Sequence, residues 1–182
     1  MQHKKIYLAG PIAGTSYNVS AVGWRKEVSD KLSGFYPSNI GPIEIPGNGI
    51  QLDCYSPMRG KGFLRDLKKD EVLGKLPFNQ SPVSTTNGIL GRDRNDCMKS
   101  DLIFMNMLGA KETSIGTTVE LGWADAARVP VILVMEDQGT VEDSPTKSNV
   151  HEHLFFQGLI TYRLNNLDDA IACAKLILLP GI

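Results

Sequence analysis

The sequence predicts an α/β domain built on a Rossmann- or flavodoxin-like open parallel sheet of about five strands, with helices on both faces and a long insertion after strand 2. Short apolar runs of strand length at 5–10, 101–107 and 131–135 alternate with stretches whose apolar residues recur three and four apart. The first run ends in a small-residue loop, Gly10-Pro11-Ile12-Ala13-Gly14, which leads into such a helical stretch. Strand, glycine-containing loop and helix form the opening unit of a parallel sheet. A chain of 182 residues has room for one sizeable core, so a single domain over 1–182 is expected.

In order, KIYLAG at 5–10 is a buried strand feeding the loop. Ala21, Trp24, Val28 and Leu32 then place apolar residues on one face of a helix over 18–32, which Gly34 stops. A second short strand is expected within 35–45. From 41 to 88 the pattern weakens, with Pro42, Pro46, Pro57, Pro77 and Pro82 and many glycines. A connection this long reads as an insertion of the lid or binding-loop kind. One short helix is expected inside it, with Phe63, Leu64, Leu67 and Val72 facing inward. Regular structure resumes with a helix over 91–100, a buried strand over 101–107 and a helix ending near 127. A strand at 131–135, a polar loop at 137–149, a helix at 151–158, a strand at 160–164 and a closing amphipathic helix at 167–179 complete the chain.

Composition narrows the function classes. Hydrophobic residues make up 42% and charged residues 21%, which argues against disorder. The formal net charge is −1 and no basic stripe is visible, so no nucleic-acid polymer is expected as a partner. A small anionic ligand needs only one or two local cations. No apolar stretch approaches membrane-spanning length, and MQHKKIYLAGPIAG lacks the form of a secretory signal, so a cytoplasmic location without membrane attachment is expected. Cys54, Cys97 and Cys173 lack metal-type spacing and read as reduced thiols. The histidines of His151-Glu152-His153 would face different sides of a helix, and neither a metal nor a cofactor is expected. The first loop is not G-x-G-x-x-G, which disfavours a nicotinamide-dependent oxidoreductase.

In such sheets ligands bind beyond the carboxyl ends of the strands, where 10–15, 109–118 and the loop after Met135 fall. The second of these segments passes through Gly116-Thr117-Thr118 into a helical pattern with Glu120 expected in its first turn. Thr117-x-x-Glu120 has the form of a capping box, a common structural use, and a glutamate there suits the positive end of the helix dipole. Its position at the ligand edge of the sheet, which a cap does not require, also makes Glu120 a candidate catalytic carboxylate. Tyr7 on a central strand reads as core or as a catalytic partner, and Arg92-Asp93 as a surface pair or a site pair. Ser56-Pro57-Met58-Arg59-Gly60-Lys61 sets two cations beside glycine, which suits a phosphate or a solvated loop, with Arg59 the candidate contact.

These pieces together resemble the nucleoside 2-deoxyribosyltransferase family and the related 2′-deoxynucleoside 5′-monophosphate N-hydrolases. The resemblance lies in Ile6-Tyr7-Leu8-Ala9-Gly10-Pro11-Ile12, in Arg92-Asp93, in Asp101 and in the turn from Gly116 to Gly122 followed by alanines and Pro130-Val131. It implies that Glu120 is the nucleophile attacking the anomeric carbon, and that Tyr7 orients it. It implies that Asp93 contacts the departing base and helps protonate it. Gly10, Pro11, Ile12, Arg92, Ser114 and Gly116 are then substrate contacts. Transferases of the family often carry a second aspartate six residues before the nucleophile; Ser114 stands there in this chain, more like the monophosphate hydrolases. The resemblance also implies a homo-oligomer with a shared active site, to which Asn149 is the candidate contribution from a neighbour. Asp101 itself reads as a strand-start cap.

Cleavage of an N-glycosidic bond places positive charge on the sugar, which an ionised carboxylate beneath the ring stabilises and can trap covalently. A second group on the other side must neutralise the leaving base. Water as acceptor makes a hydrolase and a second base makes a transferase. The expected substrate is therefore a 2′-deoxynucleoside or its 5′-monophosphate, and the reading from a different class is a nucleotide-binding sensor with a degenerate site.

Overall fold

A computed structural model gives the architecture and describes residues 1–12, 21–40, 43–61, 85–142, 145 and 147–179. The elements are β1 (Gln2–Ala9), α1 (Trp24–Leu32), β2 (Gly34–Ile40), β3 (Ile43–Tyr55), α2 (Thr86–Met98), β4 (Leu102–Asn106), α3 (Ile115–Ala126), β5 (Val131–Val134), α4 (Leu154–Leu159), β6 (Tyr162–Leu164) and α5 (Leu167–Leu178). The strands form one sheet in the order β2-β3-β1-β4-β5-β6. All neighbours are parallel except β2 and β3, which form an antiparallel edge.

Period-two alternation divides the core between the two faces of the sheet. Ile6 and Leu8 of β1, Leu102 and Phe104 of β4, and Ile132 and Val134 of β5 pack under α1 and α5. Tyr7 and Ala9, Ile103 and Met105, and Val131 and Leu133 face the other way, against α2, α3 and α4. Strands covered on both sides must be apolar throughout, and every residue of β4 and β5 is buried. Each such Leu, Ile or Phe contributes about 1.5–3 kcal/mol by leaving water. Asp101 fixes the start of β4 by accepting from Lys4 Nζ at 2.9 Å and from the Lys5 amide at 2.8 Å.

The sheet differs from expectation at its edge, with six strands rather than about five. The added strand, β3, lies inside the segment expected to be irregular. Its inner half, Ile50-Gln51-Leu52-Asp53-Cys54-Tyr55, alternates apolar and polar residues and pairs in parallel with β1. Pro46 and two glycines in its outer half hid that alternation, yet only the inner half pairs with β1. Pro37 is tolerated because β2 is an edge strand whose register shifts between Pro37 and Asn39. The helix expected around Phe63 to Val72, the turn at Ala13 to Thr15 and most of the expected lid lie outside the described residues. Helix α2 begins at Thr86, earlier than expected, because the Thr85 hydroxyl accepts from the Gly88 amide at 2.9 Å. Among the described residues no helix is long and apolar enough to cross a membrane.

Candidate active site

Helix α3 begins at Ile115 with Ser114 as its N-cap, so Glu120 lies in the second turn and not the first. The capping role falls to Ser114, whose hydroxyl accepts from the Thr117 amide at 3.4 Å. Glu120 is thereby too deep in the helix to reach back to the cap, and the capping-box reading of Thr117 and Glu120 does not hold. Its side chain instead points at the sheet. The Tyr7 hydroxyl, on the inward face of β1, donates to Glu120 Oε1 at 2.7 Å, and Glu120 is only 8% exposed.

Burial of this carboxylate raises its pKa to about 7; the Tyr7 hydrogen bond pulls down, the Asp93 charge pushes up, and Arg25 and Lys61 pull down. Tyr7 is pushed well above the usual phenol range by burial and then by the Glu120 and Asp93 charges, so it stays a donor. The Cys97 thiol, which donates to the Glu120 carbonyl at 3.2 Å, is pushed up to about 12 by burial first and remains protonated.

Helix α2 supplies the opposite wall. Asp93 and Cys97 lie four residues apart and are both buried toward α3. Asp93 Oδ1 accepts from Arg92 Nε at 3.0 Å and Nη2 at 2.8 Å, and Oδ2 accepts from Lys61 Nζ at 3.0 Å. Arg92 also donates to the carbonyls of Arg59 at 2.6 Å and Pro57 at 2.8 Å. It staples the 56–61 loop to α2 and thereby seats Lys61 beside Asp93. Arg59 bonds Asp96 at 2.5 Å and lies over the Tyr55 ring.

Gly10 closes β1 with a backbone only glycine adopts easily: φ is +155°, and a Cβ would stand 2.6 Å from the Asn106 carbonyl and 2.9 Å from the Trp24 ring. Arg25, buried at the start of α1, holds this bend by donating to the carbonyls of Leu8 at 3.1 Å, Gly10 at 2.8 Å and Ala21. The start of α3 is held from another side. His151 Nε2 accepts from the Ser114 amide at 2.9 Å, and its Nδ1 meets Asn149 Oδ1 at 3.1 Å. Asn149 Nδ2 donates to the Met107 carbonyl and to Glu136 Oε2, both at 2.8 Å.

These elements enclose a cleft of about 540 Å³, within the range of small-molecule sites of ~300–1,000 Å³. Glu120, Asp93, Lys61, Gly10, Ile12, Ser114 and Gly116 line it. Tyr7 stands behind Glu120. The cleft thus gathers the candidate carboxylates with Gly10 and Ile12 of the first loop, while Pro11, Arg92, Arg59 and Asn149 are not in its wall. The two arginines are engaged with carboxylates and carbonyls, and Asn149 is buried with its amide on the Met107 carbonyl and Glu136. The sequence reading left the 56–61 loop open between a phosphate contact, through Arg59, and a solvated loop, and missed the pairing of Lys61 with Asp93. It also missed the apolar wall of Ile89, Leu90, Val119 and Trp123, although Val119 and Trp123 lie one residue before and three after Glu120. Among the described residues no group of three or more His, Cys, Asp or Glu is placed to hold a metal ion.

No family model and no curated protein matches the chain in sequence. Solved structures match its fold. A 2-deoxyribosyltransferase from Bacillus psychrosaccharolyticus aligns over 98% of this chain and 99% of its own, with 19% identity and a TM-score of 0.56. A 2-desoxiribosyltransferase from Leishmania mexicana aligns over 93% and 95%, with 16% identity and a TM-score of 0.53. A conserved protein from Enterococcus faecalis V583 aligns over 93% and 95%, with 17% identity and a TM-score of 0.51. The chain therefore shares its fold with these 2-deoxyribosyltransferases.

Proposed function

We propose that this chain is an enzyme that breaks the N-glycosidic bond of 2′-deoxynucleosides or their 5′-monophosphates through a covalent glycosyl intermediate on Glu120. One observation carries the proposal: the Tyr7 hydroxyl fixes Glu120 Oε1 at 2.7 Å in a cleft that also holds Asp93. With Oε1 held, Oε2 has no hydrogen-bond partner among the described residues and is free to attack C1′ from beneath the ring. Charge building on the sugar is stabilised by that carboxylate in surroundings too dry to screen it. Asp93 and Lys61 line the same cleft as Glu120, which supports a role for them in receiving the departing base. A substrate without a 2′-hydroxyl leaves room for the carboxylate under the ring, which supports the deoxy preference.

Ser114, Gly116 and the first turn of α3 form one end of the cleft, and the positive end of that helix supports a substrate bearing a 5′-phosphate. Ile115 is 76% exposed and Leu90 48% at the mouth. That apolar surface supports assembly with a second copy of the chain, which light scattering would reveal as a mass above that of the monomer.

The test is incubation with the four deoxynucleosides and their monophosphates, with and without an added acceptor base. Free base alone identifies a hydrolase, exchanged nucleoside a transferase. Binding without either product would overturn the proposal in favour of a sensor.

A further inference from the structure

Beside Glu120 and Asp93 the cleft is lined by two ionisable groups that the resemblance does not assign, the exposed Glu112 and the buried Lys61. Lys61 is 5% exposed, lines the cleft and holds its ammonium 3.0 Å from Asp93 Oδ2. Asp93 meets cations on both oxygens, Arg92 on Oδ1 and Lys61 on Oδ2, and accepts in every one of those bonds. Neither oxygen is left to present a proton to a substrate. Arg92 does not line the cleft and its Nε and both Nη atoms are used on Asp93 and on loop carbonyls. Lys61 differs on each point: it lines the cleft, and of the three N–H bonds of its ammonium one is used, on Asp93, among the described residues.

We infer that Lys61 is the acid of the reaction, handing a proton from Nζ to the departing base while Asp93 positions it. The inference rests on the N-glycosidic reading of the cleft. In the first step Glu120 Oε2 forms a bond to C1′ as the C1′–N bond breaks, and the electron pair of that bond goes to the base. One proton passes from Lys61 to the base, leaving a neutral amine. In the second step water, or the N–H of an incoming base, attacks C1′ and releases Glu120; the proton it sheds returns to Lys61. Atoms and charge balance over the cycle without any further reactant. Burial lowers the Lys61 pKa, against the raising effect of Asp93, which makes the ammonium a readier donor than a surface lysine.

The test varies how much the leaving base needs a proton. Substrates are deoxyuridine and 5-fluorodeoxyuridine, and deoxyguanosine and 7-methyldeoxyguanosine, each with its 5′-monophosphate. The fluorinated base leaves more easily, and the 7-methylated base already carries the positive charge that protonation confers. Lys61→Met should lower kcat on the unactivated member of the accepted pair by ~10²–10⁴-fold, and on the activated member by less than about tenfold. Lys61→Arg keeps a cation beside Asp93 but gives up its proton far less readily, so it should show the same split. Equal losses on both members, or full activity in the arginine variant, would overturn the inference in favour of a charge-positioning role. Thermal melting of both variants separates loss of chemistry from loss of fold, and the arginine variant retains the ion pair should the methionine variant unfold. If the parent protein cleaves none of these substrates, the N-glycosidic reading itself fails, which is a distinct result.

Discussion

Tyr7 and Glu120, 113 positions apart in the chain, meet at 2.7 Å because β1 turns its odd-numbered side chains toward α3 and Glu120 sits on the buried stripe of that helix. A helix-capping glutamate would need neither the tyrosine nor the burial. The bond lowers the Glu120 pKa against the push of desolvation, and so favours the ionised form that attack at C1′ requires.

Removing only that donor should be informative. Tyr7→Phe takes away one charge-assisted hydrogen bond of about 1.5–3 kcal/mol, so kcat should fall roughly 10–100-fold. The acid limb of the rate profile should also move upward, because the group that pulled the Glu120 pKa down is gone. Steady-state kinetics across pH checks both, with circular dichroism expected to match the parent.

The Glu120 pKa of about 7 sets the pH dependence. The attacking form is ionised, so kcat/KM should rise with pH through about 7, and it should fall again at higher pH once Lys61 loses the proton it donates. A profile already flat at about pH 5 would show that the carboxylate does not attack or is not buried.

The same shift has a stability consequence of opposite direction. The folded protein keeps this proton up to about 7, whereas the unfolded chain loses it near 4.5, so stability is lost as pH rises between those values. The loss is on the order of 3 kcal/mol above pH 7. Glu120→Gln carries no such loss; it should be inactive, melt above the parent at about pH 8 and match it near pH 4. Calorimetry at the two pH values checks the sign.

Asp93 accepts from two cations while its side chain is about 10% exposed and that of Lys61 about 6%. Asp93→Ala leaves Lys61 buried without its partner and should destabilise the protein by about 3–5 kcal/mol, read as a lower urea midpoint. A loss below about 1 kcal/mol would mean that the pair is solvated.

How much of this was legible follows from the range over which each signal acts. The parallel sheet was readable because burial on both faces demands short apolar runs such as 102–106. The start of α3 was misread since Ser114 and Thr117 are both competent caps, and only their surroundings select Ser114. Strand β3 was obscured by Pro46 and its neighbouring glycines. Lys61 and Asp93 are 32 positions apart, and nothing in the loop sequence announces that Arg92 pins it down through the carbonyls of Pro57 and Arg59. Asn149 lies in a polar loop by sequence, and the bonds of its amide to the Met107 carbonyl and Glu136, 42 and 13 positions away, are set by the fold.

The central claim, attack by Glu120 on C1′, is tested most directly by trapping. A 2′-deoxy-2′-fluoroarabino nucleoside or its monophosphate keeps the lower face of the sugar open and slows release of a glycosyl-enzyme, because fluorine disfavours positive charge at C1′. Mass spectrometry of the intact protein should then show one added fluorodeoxyarabinosyl group, and peptide mapping should place it on Glu120. Turnover of the deoxynucleoside with no adduct, or an adduct on any other residue, would contradict the account.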